Sequence, residues 1–308
     1  MEVFTTMITP YLQDGSIDYA TVEKYVDFYF QNELTGIFAV CQSSEIFFLS
    51  LEERVKLNRT VYARAKELER RSGRRFTVVS SGHVSDTLEG QAEELNAVWQ
   101  SGTDALILIT NRLDLDNEGD DVFIRNAEAL LEKLPNEAKL GLYECPYPYK
   151  RLVTPKILDW CLSTGRFYYM KDTCCDLELI ADRCKQVAGT QFQLLNANCQ
   201  SLLESLEVGA QGYCGVMCNY HPRLYAALVS EFQKGSPLAG KIQDFVGNLG
   251  FTEVGLPYPL SAKYHMGLCG MPSADIARNR IGVVMNTQAR SCMAQMKRAT
   301  DTFERENL

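Results

Sequence analysis

The stretch Val3-Phe4-Thr5-Thr6-Met7-Ile8-Thr9, followed by Pro10-Tyr11-Leu12-Gln13-Asp14-Gly15, decides the fold. The first seven residues form a short apolar run with several β-branched side chains and predict a buried strand. Pro10 to Gly15 then predict a turn. An open, doubly wound α/β sheet usually places a glycine-rich phosphate loop after its first strand. No Gly-x-Gly-x-x-Gly occurs here. The alternative is a closed barrel, and the rest of the chain favours it.

Outward from this stretch, short apolar runs alternate with longer amphipathic ones. Further strands are predicted at Gly36–Cys41, Phe76–Ser81, Ala105–Thr110, Leu140–Glu144, Phe167–Lys171, Phe192–Asn196 and Gly212–Val216. The segments between them carry helix signals. Ser50-Leu-Glu-Glu53 and Asp86-Thr-Leu-Glu89 have the form of capping boxes, Thr154-Pro155 sets a cap before a first-turn proline, and Ser101-Gly102 and Val208-Gly209 are helix exits. Eight strands separated by helices predict an α/β fold, the (β/α)8 TIM barrel. After Cys218 the strand signal stops. His221–Lys234, Leu238–Leu249, Pro259–Leu268 and Ser273–Glu306 read as helices, parted by Gly-Ser-Pro, Gly-Leu-Pro and Gly-Met-Pro segments. The expected organisation is a catalytic barrel over residues 1–220 and a C-terminal helical extension over 221–308, with no flexible linker.

The chain has 308 residues, of which 46% are hydrophobic, enough for one large core or two modest ones. A formal net charge of -8 argues against nucleic acid and anionic membrane surfaces as partners. No apolar run approaches a membrane span, and Met1-Glu2-Val3-Phe4 lacks the basic and apolar segments of a secretory signal. A soluble, cytoplasmic protein is expected. The 11 cysteines are odd in number and irregularly spaced, and many sit in apolar runs, so reduced thiols are expected rather than a disulfide scaffold. Paired Cys-x-x-Cys and His-x-x-x-His are missing, and no metal site is expected.

Barrel enzymes carry their chemistry at the C-terminal ends of the strands. Lys171 closes the run Phe167-Tyr-Tyr-Met170 at such an end. Burial depresses a lysine pKa, and a neutral amine attacks carbonyls. The alternative for Lys171 alone is a strand-end lysine snorkelling into solvent. Tyr143 ends the preceding strand, so both side chains should stand over one mouth, where a phenol can relay protons. Gln42, Ser43 and Ser44 offer an amide, hydroxyls and backbone N–H groups able to hold a carboxylate. Glu45 is expected to fix that turn rather than to do chemistry. Cys214, on the last strand, is counted with the substrate-binding residues.

These segments resemble the dihydrodipicolinate synthase / N-acetylneuraminate lyase family of class I aldolases. Thr9-Pro10 with Asp14-Gly15 resembles its opening pattern, Leu142-Tyr143-Glu-Cys-Pro146 its tyrosine segment, and Tyr169-Met-Lys171-Asp-Thr173 its Schiff-base lysine segment. The resemblance implies a (β/α)8 barrel with a C-terminal helical domain, usually in a homotetramer, though a dimer is left open. It also implies that Lys171 forms an imine with a pyruvate-like α-keto acid, needing neither metal nor organic cofactor. An adjacent carbon–carbon bond then forms or breaks, possible substrates including a deoxy sugar acid.

The departures matter as much. The family's Gly-[Ser/Thr]-[Thr/Ser]-Gly-Glu loop stands here as Cys41-Gln42-Ser43-Ser44-Glu45, without either glycine. A positive φ at either glycine position would force the loop to change. The relay tyrosine and the substrate arginine of the synthase correspond to Leu113 (or Arg112) and Pro148, so lysine biosynthesis is not expected. A dehydratase using the same imine and a catalytically weak keto-acid-binding regulator are the alternatives. Arg112 is the candidate for selecting the second substrate, its fork suited to a carboxylate or phosphate. A salt bridge to Asp114, Asp116 or Glu118 is the competing role.

Overall fold

The computed structural model describes residues 1–308, apart from the side chains of residues 253 and 254. Eight parallel strands close into a barrel in chain order: β1 (Glu2–Thr6), β2 (Gly36–Phe38), β3 (Thr77–Ser80), β4 (Ala105–Ile109), β5 (Leu140–Tyr143), β6 (Phe167–Asp172), β7 (Gln193–Asn196) and β8 (Gly212–Gly215). The seam between β8 and β1 is tight. Gly212 pairs with Glu2 at φ +153°, and a Cβ there would collide with the Glu2 carbonyl oxygen, so only glycine closes the ring.

Side-chain alternation splits the strands between two cores. Phe4, Phe38, Ile107, Ile109, Tyr143, Tyr169 and Leu195 belong to one buried cluster. Leu106, Leu108, Leu140, Leu142, Met170 and Leu194 join a second, with Leu95, Phe123, Ile157 and Ile180 of the outer helices. Those helices are α1 (Tyr19–Gln31), α2 (Leu51–Ser72), α3 (Leu88–Gln100), α4 (Asp120–Leu131), α5 (Pro155–Thr164), α6 (Leu177–Val187), α7 (Leu202–Glu207) and α8 (Pro222–Gln233), the last lying on β1 and α7. The Ser50/Glu53 capping box and the Thr154-Pro155 start are present. The cap of α3 is Thr87, which accepts from Gly90 N, one residue later than the sequence suggested.

Three helices follow: α9 (Leu238–Val254), α10 (Leu260–Leu268) and α11 (Thr287–Asn307). The expectation of one helix over Ser273–Glu306 is corrected here, because residues 273–286 form an irregular strap and α11 begins only at Thr287, capped by Asn286. Beside two short-range bonds of its own, Arg280 N to Ala277 O and Val283 N to Arg280 O, the strap's backbone is bound to residues outside it. Ala274 N donates to Tyr11 O at 2.9 Å, Ile276 O accepts from Lys263 Nζ at 2.7 Å, and Asn279 N donates to Glu45 Oε2 at 3.1 Å. These bonds bring a C-terminal segment onto the loop after β2.

Candidate active site

Tyr143 and Lys171 stand opposite each other in the β5–β6 register. The Lys171 ammonium lies 4.3 Å from the centroid of the Tyr143 ring, and both residues are buried. That contact is within the range of a cation–π interaction. Alternation sends Lys171 inward and its neighbour Asp172 outward. Asp172 is bound there by Arg183, which also pairs with Glu144 Oε1 at 2.6 Å. Glu144 in turn accepts from Val153 N at 2.8 Å and Thr173 N at 2.9 Å. Burial, together with the Asp172 charge, raises the Glu144 carboxyl above the usual range, while Arg183 opposes the shift. This buried triad fixes the ends of β5 and β6 from behind. Sequence reading missed it, since Arg183 lies on α6 and only the polar pair Glu144 and Asp172 hinted at a need for a cation.

The Tyr143 hydroxyl donates to Gln42 Oε1 at 3.2 Å. Burial drives its pKa well up, so the phenol is protonated and able to donate. Three thiols, Cys41, Cys145 and Cys214, are buried within electrostatic reach of Lys171. Burial raises each of them, Cys214 to about 12, against the pull of the lysine charge. They are therefore neutral walls. No carboxylate among the described residues pairs with Lys171, which leaves its charge for an anionic ligand.

The loop after β2 is held from within. Ser44 Oγ bonds to Ala39 O at 2.7 Å and Met7 O at 2.9 Å and accepts from Cys41 N at 3.1 Å. Ser44 is thus a strut inside the turn. Ser43 Oγ donates to Thr6 Oγ1 at 3.0 Å. Neither position that lacks the family's glycine is left-handed, Cys41 being extended at φ -147°, and the left-handed conformation falls on Glu45 at φ +64°. Glu45 is tied down by Lys263 Nζ at 2.7 Å and by Asn279 N at 3.1 Å. It fixes the turn, as its position suggested.

The structure brings Lys171, Tyr143, Gln42 and Cys214 to one end of the barrel, with Ser43 and Ser44 in the adjoining loop. It does not bring Arg112 to them. The Arg112 Nη1 donates to Asp86 Oδ1 at 2.8 Å and to Val84 O at 3.3 Å, and Nε donates to Asn111 Oδ1 at 3.3 Å. The ion pair is with the loop after β3 rather than with Asp114, Asp116 or Glu118, because Asp114 is already taken by Arg151 at 2.8 Å. Among the described residues, no cluster of His, Cys, Asp or Glu is arranged to hold a metal ion, and no helix is long and apolar enough to cross a membrane.

A family model described as the dihydrodipicolinate synthetase family matches residues 1–68 and 156–299, more than half of the chain and including Lys171. A 4-hydroxy-tetrahydrodipicolinate synthase from Staphylococcus haemolyticus is 23% identical over 272 residues, covering 86% of each chain. An uncharacterised DapA-like lyase from Chloroflexus aurantiacus is 24% identical over 243 residues, 77% of this chain and 76% of its own. Among solved structures, a dihydrodipicolinate synthase from Bacillus anthracis superposes with a TM-score of 0.82 at 19% identity, covering 97% of both chains. A prophage protein of the dihydrodipicolinic acid synthase family from E. coli, solved in complex with pyruvate, gives a TM-score of 0.83 at 18% identity over 98% of both. At these identities the superpositions establish the fold.

Proposed function

The chain belongs to the dihydrodipicolinate synthetase family, and we propose that it is a class I aldolase or lyase that joins or splits a carbon–carbon bond beside a pyruvate-like α-keto acid. The observation that carries this reading is the buried contact of the Lys171 ammonium on the Tyr143 ring at the C-terminal end of adjacent strands. The pyruvate in the E. coli relative and the lyase in Chloroflexus support it from outside the chain. Lys171, once deprotonated, adds to the keto carbon, and loss of water leaves a protonated imine. That imine accepts the electron pair released when the adjacent bond breaks, giving an enamine, and the reverse flow forms the bond. Tyr143, oriented by Gln42, supplies and recovers the proton as carbinolamine becomes imine. The substrate carboxylate is assigned to Ser43, the loop N–H groups and the lysine charge. Ser44 acts by holding the loop, and Cys214 by shaping the wall.

The synthase relatives suggest one second substrate, but Leu113 and Pro148 provide neither the phenol nor the guanidinium that the resemblance requires. A different electrophile belongs to this proposal, as does a cytoplasmic homo-oligomer, tetramer or dimer. The test is borohydride reduction with a panel of α-keto acids, read by intact mass and peptide mapping. One substrate-sized adduct should appear on the peptide containing Lys171 and vanish in Lys171→Ala, whose turnover should fall by several orders of magnitude. An adduct on another lysine, or one that survives in Lys171→Ala, would overturn the assignment.

A further inference from the structure

Next to Gln42, the partner of the Tyr143 hydroxyl, lies a cavity of 270 Å³ lined also by Glu45, Phe47, Phe48, Tyr147, Asn279 and Arg280. One wall is Gln42, whose oxygen already receives the Tyr143 hydroxyl, so this side chain belongs both to the cavity and to the candidate site. The strap of residues 273–286 contributes Asn279 and Arg280 to the lining. Phe47 and Tyr147, both in the lining, meet edge to face with ring centroids 5.0 Å apart.

The polar groups facing this space are incompletely used. Arg280 donates from Nε to Tyr258 O at 3.3 Å, which anchors the guanidinium and leaves Nη1 and Nη2 without an ion pair among the described residues. Asn279 Oδ1 is buried without a hydrogen-bond partner. A buried unpaired amide oxygen costs about 1–3 kcal/mol unless something fills its place. Gln42 lines the same region, its oxygen being occupied by Tyr143 and Cys145. The one carboxylate in the wall, Glu45, is neutralised by Lys263 at 2.7 Å. Arg278, next to the strap's other cation, is paired with Glu53 at 2.7 Å. Arg280 therefore sets the sign of the cavity, and that sign is positive.

We propose that this cavity is the subsite for the second substrate, that the substrate is a short-chain carboxylate bearing a hydrogen-bond donor, and that Arg280 binds its carboxylate while Asn279 Oδ1 accepts its hydroxyl. The proposal rests on the imine reading for what the bound molecule reacts with, and it moves the specificity-determining cation from Arg112 to the strap. The volume lies just under the range of drug-sized pockets and suits a small chain. Two parallel N–H···O bonds from one guanidinium are the preferred way to grip a carboxylate.

The test is titration calorimetry with succinate and malate, dicarboxylates that need no imine to bind. Both should bind the wild-type protein and Lys171→Ala alike. Arg280→Gln should weaken both by about ten- to a hundredfold, the usual loss when a charge-assisted pair is removed. Malate should bind more tightly than succinate, and Asn279→Ala should erase that preference alone. Equal affinity in wild type and Arg280→Gln, no binding by the wild type at millimolar ligand, or dependence on Lys171 instead of Arg280 would each overturn the subsite. Failure of the imine reading is separate, since it is scored by the absence of a borohydride adduct on Lys171 and leaves these affinities untouched.

Discussion

Replacing Lys263 with methionine probes how the site is held together. Lys263 is 2% exposed and Glu45 1%, and the ammonium also meets Ile276 O at 2.7 Å and the Tyr11 ring at 4.2 Å. Burial still pulls the lysine down from 10.5 to about 8, with Glu45 and its hydrogen bond opposing the fall. A drop of that size corresponds to about 3 kcal/mol against the charged form. The sign follows from linkage. Between about pH 8 and 10.5 the unfolded chain keeps a proton that the folded chain has released, so the contribution of Lys263 to stability rises with pH across that window and is smallest below it. At neutral pH the ion pair is a device for position, maintained at a cost.

Breaking it from one side should be worse than removing it. Lys263→Met leaves the Glu45 carboxylate with Asn279 N as its remaining partner and should cost about 3–5 kcal/mol. The double variant Lys263→Met/Glu45→Gln carries no buried charge and should recover at least half of that loss. Urea unfolding at pH 7 of wild type, both single variants and the double variant gives the coupling energy directly. The strap should loosen in Lys263→Met, and exchange of the Asn279 amide should accelerate. If Lys263→Met costs less than about 1 kcal/mol, or the double variant is as unstable as the sum of the singles, the clamp is not what seats the strap.

Tyr143→Phe keeps the ring beneath Lys171 and deletes the donor to Gln42, which still accepts from Cys145 at 3.5 Å. Turnover should fall about 10²–10⁴-fold while stability changes by about 1 kcal/mol or less, and a rate within twofold of wild type with chemistry limiting would remove the phenol from the mechanism. His83 is fully buried, accepts from Ile109 N through Nε2 at 2.7 Å and faces Gln91 Oε1 with Nδ1 at 2.9 Å, and burial lowers it from 6.5 to about 4. The unfolded chain therefore binds the extra proton first as pH falls, and about 2 kcal/mol of stability should be lost between pH 7 and pH 5. His83→Gln should flatten that slope relative to wild type, and an unchanged slope would show that another group titrates.

The barrel and the meeting of Lys171 with Tyr143 were legible because both depend on short-range regularities. Alternation within Phe167–Asp172 and Leu140–Tyr143 sets which side chains face inward, and the strand end sets the depth. The two residues then meet through register. Arg112 shows where this stops. Its position at the end of β4 could be read, but its direction is decided by Asp86, on a different loop and 26 residues away. Asp114, the nearer acid, was unavailable because Arg151 had claimed it. Competition among charges for partners is a property of the folded surface and leaves no periodic trace.

The strap, too, is decided by contacts made in the folded molecule. Ala274, Ile276, Ala277 and Arg278 have ordinary helical preferences, and local propensity favoured a helix there. Instead Ala274 N binds Tyr11 O, Ile276 O accepts from Lys263 and Asn279 N binds Glu45, contacts outside the strap that local propensity does not encode. A few buried, charge-assisted bonds outweigh propensities of a few tenths of a kcal/mol per residue. The altered loop and the strap then form one construction. With no glycine at 41 or 44, the turn places its left-handed residue at Glu45, and a non-glycine residue there costs on the order of 1 kcal/mol or more. The same carboxylate ties the turn to Lys263 and to the strap, so the strain is held where the tertiary bonds converge. Glu45→Gly should therefore relax the turn and still disorder the site, because the conformation would be recovered and the tether lost.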